Sequence, residues 1–152
     1  MDTLQPLSYY HIFNHAIGNE NLFREDENYR FFLQKYDLYI YQVAETLAYC
    51  LMPNHFHFLI KIKSEGQLVA AFPKFKTLEK LIEANCISKQ FSNFFSSYTL
   101  SFNKKYNRMG SLFLKNFKRQ QVEKDSYFSK IIHYIHSNPV HHGFVHSVDE
   151  WK

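Results

Sequence analysis

His55 and His57 stand one residue apart in the apolar segment MPNHFHFLIKI, and the two-residue period of a β-strand points both imidazoles to one face. Phe56 and Phe58 then point the other way, toward a core. Two neutral imidazoles side by side on a rigid strand make half of a site for a divalent cation, because each can present a ring nitrogen with its lone pair. The same spacing also suits two structural histidines, so the reading needs a second group. The segment DSYFSKIIHYIHSNPV places Tyr127, Ile131, Tyr134 and Asn138 at three- and four-residue steps, on roughly one face of a helix. Asn138 offers an amide oxygen that can complete a metal site, and Tyr134 a phenolic oxygen one turn away. On these residues alone, Tyr134 equally suits an amphipathic core face, and Asn138 a helix end before Pro139. His133 and His136 are expected to face solvent or to serve structure.

The elements that must position these groups can be read from periodicity and breakers. Residues 8 to 17, aromatic and β-prone, read as a first strand that ends at the turn signal Gly18-Asn19. From Asp26 to Val43, Tyr29, Phe32, Leu33, Tyr36 and Ile40 recur at helical spacing behind an acidic first turn, which predicts an amphipathic helix. Residues 46 to 52 and 55 to 62 read as a hairpin, since Pro53 cannot sit inside a central strand but suits its turn. The stretch from Leu78 to Phe102 reads as mainly helical. Residues 110 to 122 suggest a short extended segment, and Asp125 is placed to cap a helix over 126 to 137 that Asn138-Pro139 ends. This order predicts an α+β fold, with helices on one face of an antiparallel sheet.

Composition narrows the class. The 152 residues, with no internal repeat or composition shift, predict one domain spanning 1–152. Cys50 and Cys86 are the only cysteines, too few for a zinc ribbon or a disulfide framework, and they point to a reducing cytoplasm. No secretory leader or long apolar run is read in the sequence, so no membrane role is expected. A net charge of +4 and a pI near 9.0 agree with a polyanionic partner. The basic residues are unevenly spread: from Ala84 to Val122 there is no acidic residue, while Lys89, Lys104, Lys105, Arg108, Lys115, Lys118 and Arg119 are all basic. The rings interleaved with them, at Phe91, Phe94, Phe95, Tyr98, Phe102, Tyr106, Phe113 and Phe117, exceed core needs, and a third of them are expected to be free to stack on unpaired bases.

The pattern PNHFH, followed by SFNKKYNRMGSLFLKNFK and then HYIHSNPVHHGFV, resembles the IS200-like transposases, specifically the branch associated with repetitive extragenic palindromes. The similarity runs from about Tyr9 to Val145, and the joint occurrence of both motifs in this order makes it specific. The resemblance implies an HUH nuclease with a ferredoxin-like sheet. In that superfamily a histidine-hydrophobic-histidine strand, here His55 and His57, binds metal. A helix tyrosine in the Tyr-Ile-x-x-Asn-Pro-Val string, here Tyr134, is the nucleophile, with Asn138 beside the metal. Tyr127, the rival phenol, lies outside that string. His141-His142 before Gly143 depart from the family's usual small residue.

The expected function is therefore cleavage and strand transfer on single-stranded DNA near hairpins, through a covalent 5′-phosphotyrosine and with Mg²⁺ or Mn²⁺ as cofactor. Lys104, Lys105, Arg108, Lys115, Lys118 and Arg119 are the expected DNA contacts, the cell's nucleoid the expected place, and a homodimer stays open. Two other classes compete: a domesticated module that holds palindromic hairpins without cutting, and a metal phosphoesterase with no covalent step.

Overall fold

In a computed structural model of the chain, residues 3–123 and 125–141 are described, without the side chains of 125, 126 and 138–141. Four strands, β1 (Tyr9–His15), β2 (Ala44–Met52), β3 (His55–Ile62) and β4 (Lys118–Val122), form one antiparallel sheet in the order β2-β3-β1-β4. That order, with a helix after β1 and another after β3, is the ferredoxin-like arrangement. The expected α+β class thus holds.

Helix α1 (Asp26–Ile40) starts where the sequence suggested, with Asp26 and Glu27 in its first turn. Asn28 supports that start from inside the helix: its side-chain oxygen accepts from the backbone N–H groups of Arg24 and Glu25, at 2.7 and 3.1 Å. The predicted helix over Leu78 to Phe102 is two helices, α3 (Leu78–Glu83) and α4 (Cys86–Lys105). Asn85 separates them at φ +53°, a left-handed conformation that Asn tolerates better than most residues. A short helix, α2 (Glu65–Ala71), was not foreseen; Ser64 caps it through a bond from the Gln67 N–H.

The main core fills the face formed by Tyr10, Ile12, Phe56, Phe58 and Ile60, against Phe32 and Tyr36 of α1 and Phe91, Phe94 and Tyr98 of α4. Helix α5 (Asp125–His141) lies on the other face, where Ile131 and Ile135 pack on Ala48, Cys50, Met52, Leu59 and Val122. The expectation of helices on one face is therefore corrected to helices on both. The physical reason is visible in β3, seven of whose eight residues are buried, as in a strand covered on both sides. Helix α5 also runs through Asn138-Pro139 to His141 instead of ending there. Proline near the last turn gives up one backbone bond, and its fixed φ is helical. Among the described residues no helix is long and apolar enough to cross a membrane.

Candidate active site

Cross-strand pairing decides which side chains share the α5 face. His55 pairs with His15, His57 with Phe13, Leu59 with His11 and Lys61 with Tyr9, and paired residues point to the same side. Four histidines therefore stand together on the central strands. The rings of His55 and His57 are edge to face, with centroids 5.2 Å apart. His15 stacks on His55 at 5.6 Å and 8°, and His11 on His57 at 5.1 Å and 24°. His11, His55 and His57 are buried. Desolvation lowers the His11 pKa to about 4, so it is neutral at physiological pH.

Hydrogen bonds hold three of these rings from behind. His55 Nδ1 lies 2.8 Å from the side-chain oxygen of Asn54, in the turn before the strand. His57 Nδ1 lies 3.0 Å from His11 Nε2, and His15 Nδ1 lies 2.7 Å from the Ala16 carbonyl. His11 and His15 were missed in the sequence reading. Their four-residue spacing puts them on one face of a strand, but only the pairing of β1 with β3 shows that it is the face of His55 and His57.

Tyr134 meets this cluster from above. Its ring stands edge to face with His57 at 5.5 Å and 84°, and with His11 at 6.1 Å and 76°. It is 42% exposed, so the residue is open to solvent. The helix is seated with Phe128 on Tyr9 at 5.2 Å and with Ile131 and Ile135 on the β2 and β3 residues Cys50 and Leu59. Tyr127 is occupied elsewhere: its hydroxyl accepts from Gln120 on β4 at 2.8 Å. His133 and His136 are exposed, with His133 Nε2 3.3 Å from the Ser137 hydroxyl. Asn138 falls in α5, but its side chain lies outside the described residues. Among the described residues no group of three or more His, Cys, Asp or Glu side chains is placed to hold a metal. A cation on the imidazole pair would need a further donor of another type, such as an amide.

The basic residues are not one band. Lys118 pairs with Phe13 on the histidine face and is exposed, as are Lys104 and Lys115. Arg119 pairs with Ile12 on the opposite face, where it bonds the Ser88 hydroxyl at 2.7 Å and lies over Phe117 at 4.4 Å. There it borders a cavity of about 650 Å³ that Asn85, Ser92 and Asn116 also line, away from the histidines. Lys105 is compensated by Glu27 at 2.7 Å and Glu25 at 2.9 Å. The Tyr106 hydroxyl and the Lys105 ammonium hold the Glu25 carboxyl below its usual range. Arg108 pairs with Glu20 at 3.4 Å and donates to the carbonyls of Gly110 and Ser111. The acids come from the α1 side, where a sequence segment read alone cannot show them. Of the eight interleaved rings only Tyr106 is not buried, so more of them are core than the expected two-thirds, and fewer are left to stack.

Comparison with known proteins agrees with this arrangement. The solved structure of a REP-associated tyrosine transposase bound to a REP hairpin superposes with a TM-score of 0.69, covering 99% of this chain and 78% of that one at 14% identity. The chain has the REP-associated tyrosine transposase fold. In sequence, a Haemophilus influenzae protein named as a REP-associated tyrosine transposase is 27% identical over 110 residues, 70% of this chain. The chain matches 56% of the length of that relative. No protein-family profile matches. The resemblance drawn from the PNHFH and HYIHSNPV motifs is thus borne out.

Proposed function

We propose that the chain cuts and rejoins single-stranded DNA beside a hairpin, with Tyr134 as nucleophile and His55, His57 and Asn138 as ligands of Mg²⁺ or Mn²⁺. The observation that carries this reading is the approach of the Tyr134 ring to within 5.5 Å of His57, although the two lie 77 positions apart in the sequence. Two imidazoles on one strand face fit a divalent cation, and an amide one helical turn beyond Tyr134, at Asn138, would suit a third donor. A cation held there would place positive charge on a non-bridging phosphate oxygen and favour the phenolate. The relative's name and the hairpin in the neighbouring structure support the substrate class.

In the proposed reaction Tyr134 Oη gives its proton to solvent and attacks phosphorus, the bond from phosphorus to the 3′ oxygen breaks, and that oxygen leaves as a 3′-hydroxyl after taking up a proton from water. The 5′ phosphate remains esterified to Tyr134. Another 3′-hydroxyl can then displace the tyrosine, so no external energy source is required. Burial of the histidines and the backing of Asn54 and His11 orient the ligands; exposure of Tyr134 admits the strand. Lys118, on the histidine face, is placed to meet phosphates entering the site, and the exposed Lys104 and Lys115 are further candidates for phosphate contacts.

The test is to incubate the protein with Mn²⁺ and a labelled single strand carrying a hairpin, then resolve the products under denaturing conditions. The expected result is a protein-linked strand whose DNA peptide maps to Tyr134. Cleavage to a free 5′ phosphate with no linked species indicates a hydrolytic phosphoesterase, and retention of the hairpin without cleavage indicates a binding module; either outcome ends the proposal.

A further inference from the structure

We infer that His11 and Asn54 are positioning residues that lock His57 and His55 in the tautomer with the proton on Nδ1, leaving the Nε2 lone pairs to face a cation. The inference rests on the proposed metal site and adds two residues to it that lie outside the metal-binding motif proper. An imidazole binds a metal only through the nitrogen that carries no proton, so a site built on two imidazoles works only if both protons sit on the far nitrogens. A neutral imidazole without partners favours the proton on Nε2, the wrong side for this purpose. The fold supplies an acceptor behind each ring.

For His55 the acceptor is the Asn54 side-chain oxygen, 2.8 Å from Nδ1. An amide oxygen cannot donate, so the proton of that bond belongs to the imidazole. The turn that carries Asn54 is pinned by main-chain bonds: Asn54 accepts from the Ala16 N–H at 2.8 Å, and Pro53 from the Leu22 N–H at 2.7 Å. For His57 the acceptor is His11 Nε2, 3.0 Å from Nδ1. Here either nitrogen can donate in principle, but only donation from His57 leaves its Nε2 lone pair available. His11 must then carry its own proton on Nδ1. His11 is 5% exposed, stacked on His57 at 5.1 Å and tilted against Phe13 at 4.8 Å, so the acceptor is held in place. His15 shows the same polarity, since a carbonyl oxygen receives its Nδ1 proton at 2.7 Å.

The test reads the tautomers directly. In metal-free wild-type protein labelled with ¹⁵N-histidine, long-range proton-nitrogen correlation at neutral pH should show His55 and His57 protonated on Nδ1. A proton on Nε2 of either ring overturns the inference, with no variant needed. In His11→Phe the His57 proton should shift toward Nε2, and Mn²⁺ alone, titrated calorimetrically, should bind about tenfold or more weakly. His11→Gln, whose amide oxygen reaches the same place, should restore both readouts, as Asn54→Asp should where Asn54→Leu fails. An unchanged His57 tautomer in folded His11→Phe also overturns the inference. If a Tyr134 adduct forms although His57 is protonated on Nε2, the positioning role falls and the reaction survives. If the tautomers are as stated and no adduct forms, the reaction falls and the assignment of protons stands.

Discussion

Removing single phenolic oxygens should separate chemistry from stability. Tyr134 is 42% exposed, and among the described residues its hydroxyl makes no hydrogen bond. Tyr134→Phe keeps the ring that stands against His57 and His11, so its stability should change by no more than about 0.5 kcal/mol. At about 2–4 °C per kcal/mol for a chain of this size, the melting temperature should move by less than about 2 °C. Covalent adduct should nevertheless vanish. Tyr98 is the opposite case: it is 1% exposed and its hydroxyl donates to the Leu22 carbonyl at 2.5 Å. Tyr98→Phe leaves that carbonyl unsatisfied, at about 1–3 kcal/mol, and should lower the melting temperature by roughly 2–12 °C while the folded fraction still forms adduct. Tyr127→Phe loses, among the described residues, the bond from Gln120 and should retain both adduct and, within about 1 kcal/mol, stability. The assay pairs thermal melts with denaturing gels of a labelled hairpin strand. Adduct from Tyr134→Phe, or its loss in Tyr127→Phe, would refute the assignment of the nucleophile.

The split of the basic residues predicts unequal salt effects. Lys118→Ala should reduce the slope of log affinity against log salt by about 0.7, the value for one single-strand phosphate contact, whereas Lys105→Ala, already compensated by Glu25 and Glu27, should leave the slope nearly unchanged; equal effects in fluorescence-anisotropy titrations would contradict the partition. Phe32 is fully buried among Phe23, Phe56, Phe94 and Tyr98, so Phe32→Ala should destabilise the fold by about 3–5 kcal/mol in urea titrations. Cys50 and Cys86 are 4% and 5% exposed, and burial pushes the Cys50 thiol up to about 12. Neither should react with an aromatic disulfide reagent until denaturant is added, and rapid labelling of the native protein would speak against this packing.

Much of the site was legible because its parts are local. The His-x-His spacing in β3 fixes one face by the period of a strand alone, and the Tyr134 to Asn138 spacing fixes one face of a helix. The hairpin around Pro53 and the capped start of α1 were legible for the same reason: each depends on residues within a few positions of one another. The break at Asn85 was not, since a single left-handed residue hardly disturbs a helical pattern of apolar residues. Nor was the second face of the sheet, because burial on both sides replaces alternation with a continuous apolar run that has more than one explanation.

What the amino-acid order determined by itself was the inventory: two imidazoles on one strand face, a phenol and an amide on one helix face, and an excess of cations late in the chain. Only the tertiary structure decided which of these meet. Antiparallel pairing of β1 with β3 brought His11 and His15 to the face of His55 and His57, and the seating of α5 on the small apolar patch around Cys50 and Leu59 set Tyr134 against His57. The same folding took Lys105 and Arg108 into ion pairs and turned Arg119 to the far side. Sequence periodicity specifies the direction of a side chain relative to its own element. Contacts between elements depend on strand register and helix seating, which are set by burial summed over the whole core.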